Sequence, residues 1–252
     1  MNEQTKLHFG KGNAKLGKEI GVFSLPAGHT CPAAHLCKAL VDRTTGKITD
    51  GPQVKFRCFA AAAENMFKNV RMGRWNNLDK LNACKNSAEM ADLIERSIPR
   101  KAKLVRIHGS GDFYNQTYFD AWLLVAQRQP KRIFYTYTKM LPLWIRRIKT
   151  VPSNFRLVAS VGGKYDNLIE PHKLRKAIVV FSENEAKEKG LEIDHDDSHL
   201  WNSTKDFALL LHGTQPAGSL AAKVVYSLRK QKKGGYKSNY FGHYGDKKKE
   251  VK

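Results

Sequence analysis

The sequence lacks any apolar segment of the length that a membrane helix requires. Such a helix needs about 20 consecutive apolar residues, and no stretch of this chain approaches that length. Residues 1–9 are polar and lack the apolar centre that secretion signals carry. With 41% hydrophobic residues in 252, the chain is nevertheless long enough to bury a substantial core. We therefore expect a soluble globular protein that resides in the cytoplasm and does not enter a membrane.

Acidic residues are scarce. Asp and Glu number 23 against 44 Lys and Arg, which gives a formal net charge of +21. An excess of this size repels itself and favours a polyanionic partner, because neutralised phosphates release their condensed counterions. The composition predicts a nucleic-acid partner, although a chain that is merely basic is the alternative. Composition does not distinguish DNA from RNA or single from double strands, and it does not determine the oligomeric state.

The basic residues are concentrated with aromatic residues in a C-terminal segment, 220–252. Glycines in this segment would let it adapt to a partner, and its aromatic rings would stack on unpaired bases. We expect the segment to bind nucleic acid. The residues predicted to make these contacts are Arg229, Lys230, Lys232, Lys233, Tyr236, Lys237 and Tyr240.

Cysteine is absent after Cys84, so all four cysteines lie in the first third of the chain. In a reducing cytosol, such a group indicates metal ligands more often than disulfides. Structural zinc sites usually contain paired cysteines separated by two to four residues, and no such pair occurs here. The wider spacing of Cys31, Cys37 and Cys58 favours an iron–sulfur cluster. Zinc and unligated thiols are the alternatives, and Cys84 has the least distinctive surroundings of the four predicted ligands.

From residue 103 onward, short apolar runs alternate with helical patterns. This alternation predicts parallel βα units with right-handed crossovers. Five or six strands are too few for a closed eight-stranded barrel, so we expect an α/β fold that is either an incomplete (partial) βα barrel or an open parallel sheet. The predicted domain covers 1–219, with a cysteine-ligand region at 20–98 and βα units at 103–219. The predicted strands are 20–25, 104–108, 132–138, 155–161, 178–181 and 207–211.

A glycine-rich turn follows the second of these strands directly. It consists of Gly109, Ser110, Gly111 and Asp112. Ligands collect beyond the carboxyl ends of parallel strands, and glycines let backbone amides approach a ligand closely. Asp112 is therefore a candidate to bind an amine or hydroxyl of a cofactor. The alternative is an ordinary turn whose Asp caps the next helix.

Several stretches of the chain resemble the phage "gene product 88" family. The resemblance implies a phage protein that acts in the host cytoplasm. It is carried by residues 12–17, 23–28 with Cys31 and Cys37, 58–60, 106–113, 137–139 and 212–216.

That family in turn is distantly similar to radical S-adenosylmethionine enzymes, which have partial barrels. The similarity implies that Cys31, Cys37 and Cys58 hold a 4Fe-4S cluster and that 109–112 contacts S-adenosylmethionine. Two features differ from the enzymes. The compact spacing C-x3-C-x2-C is absent, and Asp112 stands where the enzymes have Glu.

Two functional hypotheses follow, and a third is simpler. In the first, all four cysteines hold a 4Fe-4S cluster in a nucleic-acid-binding protein that is not an enzyme. In the second, only Cys31, Cys37 and Cys58 are ligands, and the protein is a radical enzyme that acts on nucleic acid or another bound substrate. The third is a zinc-stabilised basic structural protein.

Overall fold

An eight-stranded sheet forms the centre of the molecule. The computed structural model describes residues 6–11 and 19–231. The described strands are β1 (Phe9–Lys11), β2 (Ile20–Ser24), β3 (Ala39–Val41), β4 (Ile48–Asp50), β5 (Leu104–Ser110), β6 (Ile133–Thr138), β7 (Phe155–Ser160), β8 (Lys176–Val180), β9 (Glu192–Ile193) and β10 (Phe207–Leu210).

The strand order in this sheet is β1-β2-β5-β6-β7-β8-β10-β9. β1 pairs antiparallel with β2, and all other neighbours are parallel. Within the described ranges, no pairing joins β1 to β9, so the sheet is open. The fold is thus mixed α/β with a mostly parallel sheet, as the alternation of patterns predicted. β3 and β4 form a separate antiparallel hairpin.

Eight helices accompany the described strands. They are α1 (Phe59–Met66), α2 (Lys68–Asn82), α3 (Ser87–Ser97), α4 (Gln116–Arg128), α5 (Leu141–Ile145), α6 (Glu183–Glu188), α7 (Ser198–Asn202) and α8 (Leu220–Lys230). The starts of α3 and α4 are fixed by Asn86 and Asn115, whose side chains accept hydrogen bonds from the first-turn amides. Over the described ranges, no helix has the length and apolar character needed to cross a membrane.

The main core lies between one face of the sheet and the helices α2 to α5. Phe23, Ile107, Trp122 and Phe134 are fully buried there. Each such side chain contributes about 1.5–3 kcal/mol through burial. On the opposite face, α7 packs its Leu200 against a smaller apolar cluster from β6, β7 and β10.

The six predicted strands are confirmed within about two residues at their ends, but one predicted helix is divided. The pattern from 58 towards 72 predicts a continuous helix, whereas Phe67 has an extended backbone and separates α1 from α2. Two guanidinium groups make this break possible. Arg71 donates to the carbonyl of Glu64 (2.6 Å) and Arg74 donates to that of Ala60 (2.9 Å). The Glu64 carbonyl is one of the last four of α1, which lack a partner within the helix, so Arg71 satisfies it. Arg74 joins α2 to the first turn of α1.

Candidate functional site

The loop after β2 crosses the carboxyl edge of the sheet and contains two of the four cysteines, Cys31 and Cys37. The start of the loop is fixed by the hydrogen bond from Leu25 N to Ser110 O (2.9 Å). Farther along, Leu36 N donates to the carbonyl of Gly162, after β7, at 3.0 Å. Backbone hydrogen bonds therefore hold both cysteines above the ends of several strands.

Cys58 reaches the same edge from a different part of the chain, as the N-cap residue of α1. The loop after β10 holds it there. The Gln215 side chain accepts from Arg57 N (2.7 Å) and donates to Arg57 O (3.1 Å). Gly213, with φ +83°, approaches so closely that a Cβ atom would lie 2.6 Å from the Cβ of Phe59. Only glycine permits this contact.

The thiols of Cys31, Cys37 and Cys58 therefore lie at the same edge, and the charges of neighbouring thiols act on the pKa values of Cys31 and Cys58. Burial raises the pKa of Cys31 well above its usual range, and the charges of Asp112 and Cys58 raise it further. Burial, and then the charge of Cys37, raises the pKa of Cys58 to about 11. All four cysteines are free and partly exposed. The structure thus brings Cys31, Cys37 and Cys58 within electrostatic reach of one another.

Cys84 lies elsewhere, just after α2. Its thiol donates to the carbonyl of Lys80 at 3.5 Å. Burial and then the charge of Glu89 raise its pKa, while Arg96 lowers it. None of the other three cysteines is among the groups that shift the pKa of Cys84. The structure does not bring Cys84 together with the other predicted ligands.

The glycine-rich turn lies beside the three thiols, but the Asp112 carboxylate is already occupied. One oxygen accepts from Thr138 Oγ1 (2.6 Å) and from Phe113 N (2.7 Å), and the other accepts from Lys139 N (2.8 Å). Burial raises the pKa of Asp112 to about 6, and these hydrogen bonds act in the opposite direction. Asp112 joins the end of β5 to the end of β6.

The other residues of the turn face the same loop. Gly111 has φ +90°, and a Cβ there would lie 2.6 Å from Thr30 Oγ1 of the cysteine loop. Gly109 is equally crowded, since its Cβ would lie 2.6 Å from a methyl group of Val22. The Ser110 hydroxyl lies 3.4 Å from the Glu64 carboxylate. The turn therefore packs directly against β2 and the loop that carries Cys31.

Glu64 is the important residue that the sequence analysis missed. It is fully buried in α1, and its Oε1 accepts from Ala27 N (2.8 Å) and pairs with Arg74 (2.7 Å). Its Oε2 has no hydrogen-bond partner. The sequence does carry one signal for this residue, since Glu64 is a lone carboxylate in an alanine-rich helix. An acid on an apolar helix face is rarely buried unless it is paired.

Lys38 supplies a positive charge next to the thiols. Its Nζ donates to the carbonyls of Gly28 (2.5 Å) and Cys31 (3.0 Å). Burial lowers the pKa of Lys38, whereas the charge of Cys31 raises it. Opposite charges favour each other's ionised form, so Lys38 favours the thiolate form of Cys31.

The residues predicted to bind nucleic acid are only partly described. Arg229 and Lys230 form the exposed last turn of α8, which packs on the sheet through Val225 and Leu228. Lys230 Nζ lies 4.9 Å from the centre of the Tyr226 ring. The remaining predicted residues, Lys232, Lys233, Tyr236, Lys237 and Tyr240, lie outside the described ranges.

The described residues show no site arranged for a single metal ion. Within 6–11 and 19–231, no three His, Cys, Asp or Glu side chains are arranged to hold one metal ion. A single zinc ion needs every sulfur ligand at about 2.3 Å, whereas a cluster bonds its thiolates through different irons.

The fold and the site together define an α/β protein with a mostly parallel sheet and three cysteines at its carboxyl edge. The family model described as gene product 88 matches residues 3–235. The chain therefore belongs to the gene product 88 family, as the sequence motifs predicted. No curated protein and no solved structure matches the chain. Apart from 12–17, which lies outside the described ranges, all the stretches that carried the resemblance contribute residues to the carboxyl edge.

Proposed function

We propose that this protein holds a 4Fe-4S cluster on Cys31, Cys37 and Cys58 and that its partner is nucleic acid. The observation that carries the proposal is that three thiols from separate stretches lie within electrostatic reach of one another at the carboxyl edge of a parallel sheet. Cluster chemistry requires thiolates. Burial raises the pKa of Cys31 and of Cys58 on balance, so these thiols lose their protons only as they bind iron. Lys38 and the amides of Ala60 and Ala61 act in the opposite direction and favour the thiolate forms.

The position of Cys84 favours three protein ligands over four. A 4Fe-4S cluster held by three cysteines has one iron open to a further ligand. This arrangement supports a second candidate function, that of a radical enzyme, in which S-adenosylmethionine occupies the open position. The cluster would supply an electron to that ligand. The protein's own residues would position it and keep water away from the buried part of the edge.

Within this proposal, Asp112 acts as a positioning residue. Its three hydrogen bonds fix the end of β5 against β6, and with it the turn 109–112 that faces Cys31. The carboxylate already accepts three of the about four hydrogen bonds that its oxygens can take, so most of its capacity is used within the protein. Glu64 is the acid with an unused acceptor oxygen close to this turn, on the side of Ser110.

Anaerobic reconstitution of the full chain with iron and sulfide tests the ligand set. We expect a brown protein with about four irons and four sulfides per chain. Cys31→Ser, Cys37→Ser and Cys58→Ser should each lose most of the iron. Cys84→Ser is the matched control and should keep it. Zinc in place of iron would contradict the cluster, and loss of iron from Cys84→Ser would restore the four-cysteine hypothesis.

Titration calorimetry with S-adenosylmethionine separates the two candidate functions. In the enzyme, the reconstituted protein binds the cofactor and the Cys31→Ser protein does not. If the reconstituted protein binds no S-adenosylmethionine, the cluster is structural and the protein is a cluster-bearing nucleic-acid binder. The net charge of +21 supports the nucleic-acid partner, whichever of the two is correct.

A further inference from the structure

The amino edge of the sheet, opposite the cysteines, carries a row of exposed cations. They come from the connections that lead into β5, β6 and β7. The row consists of Arg100, Lys101, Lys131 and Lys149, all of them exposed. We call these four residues the amino-edge row.

None of the four forms an ion pair with any residue that the structure describes. The nearby acid Glu19 pairs instead with Lys103 at 3.1 Å. The amino-edge row therefore presents positive charge that no described acid neutralises.

Hydrogen bonds hold part of this edge in a fixed arrangement. The Arg132 guanidinium donates to the carbonyls of Arg100 (3.2 Å), Pro99 (3.1 Å) and Ala102, and so joins the connections into β5 and β6. The Asn154 amide donates to the carbonyl of Arg132 at 2.9 Å and to two carbonyls at the end of α4. The backbone segments that carry Arg100, Lys101 and Lys131 are thus held in place before a partner arrives, which lowers the entropic cost of binding.

The spacing of the row suits a phosphate backbone. Leu104 is in register with Ile133, and Phe134 with Phe155, so the connections into β5, β6 and β7 begin at similar heights. Neighbouring strands are about 4.8 Å apart, so the three strands from β5 to β7 span roughly 10 Å. Phosphates recur about every 3.4 Å along each strand of a duplex. Several of them can therefore face the row together.

The surface chemistry favours duplex nucleic acid over a membrane or a single strand. Membrane-binding surfaces combine basic residues with exposed apolar anchors, and single-strand sites offer aromatic rings for stacking. Of the large apolar side chains exposed in the described ranges, only Ile148 belongs to the connections that form this edge. It is aliphatic and offers no stacking surface.

We propose that the amino-edge row binds the phosphate backbone of a nucleic-acid duplex without reading its sequence. The assignment rests on the proposed nucleic-acid partner but not on the cluster, which lies at the opposite edge. It also differs from the predicted contacts of the C-terminal segment, because the row belongs to the folded sheet.

Fluorescence anisotropy with a labelled 20-base-pair duplex, measured over a range of salt concentrations, tests the proposal. The triple variant Lys101→Gln, Lys131→Gln, Lys149→Gln removes one cation from each of three neighbouring connections. Each lost phosphate contact reduces the slope of log K against log salt by about 0.9. We therefore expect the slope to fall by nearly 3 and the affinity near 150 mM salt to fall by about 100-fold.

The matched control is the triple variant Lys68→Gln, Lys85→Gln, Lys223→Gln. It removes the same charge from exposed lysines that precede no strand of the parallel sheet. It should retain nearly all of the slope. Equal losses of affinity and slope in the two triple variants would overturn the proposed binding by the amino-edge row but would leave nucleic acid as the partner. Absence of duplex binding by the unchanged protein would overturn both, as would binding only to anionic lipid vesicles.

Discussion

The two edges of the parallel sheet differ in whether their charged side chains have partners within the protein. At the carboxyl edge, Glu64, Asp112 and Lys38 point inward and hydrogen-bond to backbone and side-chain groups. At the amino edge, the four cations of the amino-edge row are exposed and have no ion-pair partner among the described residues. The first arrangement holds loops in place around the thiols, and the second leaves charge free for a partner. Substitutions at the two edges should therefore have different consequences.

The largest effect on stability is expected from the buried ion pair at the carboxyl edge. Arg74→Met leaves the Glu64 carboxylate buried without its cation, which should lower the free energy of unfolding by about 3–5 kcal/mol. Arg43→Met is the control, because its pair with Asp79 is about half exposed and should contribute about 0–1 kcal/mol. Urea unfolding measures both variants. Similar losses in the two would show that Glu64 is not isolated from solvent.

The next effect concerns thiol reactivity at the same edge. The pKa of Cys58 is raised to about 11, so little thiolate is present at pH 8. In the metal-free protein, iodoacetamide should alkylate Cys58 about 100-fold more slowly than the same cysteine in urea-unfolded chain, whose pKa is about 8.5. The folded-state rate should rise about tenfold per pH unit between 8 and 10. Mass spectrometry of the Cys58 peptide follows the reaction, and equal rates in the two states would contradict the shift.

A smaller loss is expected when Asp112 is replaced by Asn. The amide nitrogen of Asn can take the place of only one carboxylate oxygen, and it would leave a buried N–H without an acceptor, either at Lys139 or at Phe113. We expect a loss of about 1–3 kcal/mol. The control is Asp92→Asn on exposed α3, which should change stability by less than about 0.5 kcal/mol. Chemical unfolding compares the two, and a neutral Asp112→Asn would show that the hydrogen bonds to Asp112 are dispensable.

The smallest effect on stability is expected at the amino edge. The triple variant Lys101→Gln, Lys131→Gln, Lys149→Gln should unfold within about 0.5 kcal/mol of the original chain, because exposed cations without partners contribute little to folding. Relief of self-repulsion would make any change favourable. A thermal melt checks this. A marked loss of stability would mean that these lysines contribute to folding, and the two edges would then not differ in this way.

The parts of the fold that the sequence predicted are those with local causes. The six strands could be located because apolar β-branched and aromatic runs recur between turn residues. The hairpin of β3 and β4 leaves no such signal, since three-residue strands are too short to show a period. The break at Phe67 depends on Arg71 and Arg74, whose hydrogen bonds to α1 no local pattern reveals.

The sequence by itself determined the residue types of the candidate site, the charge excess and the order of strands and helices. The three-dimensional fold alone decided that Cys31, Cys37 and Cys58 lie within electrostatic reach of one another while Cys84 stays apart. It further decided that the Asp112 carboxylate is used by hydrogen bonds from Phe113, Thr138 and Lys139. It also decided that cations distant in sequence form one row at the amino edge. The physical reason is that composition and periodicity report on each residue's immediate neighbours, whereas parallel strands align the ends of distant segments at shared edges.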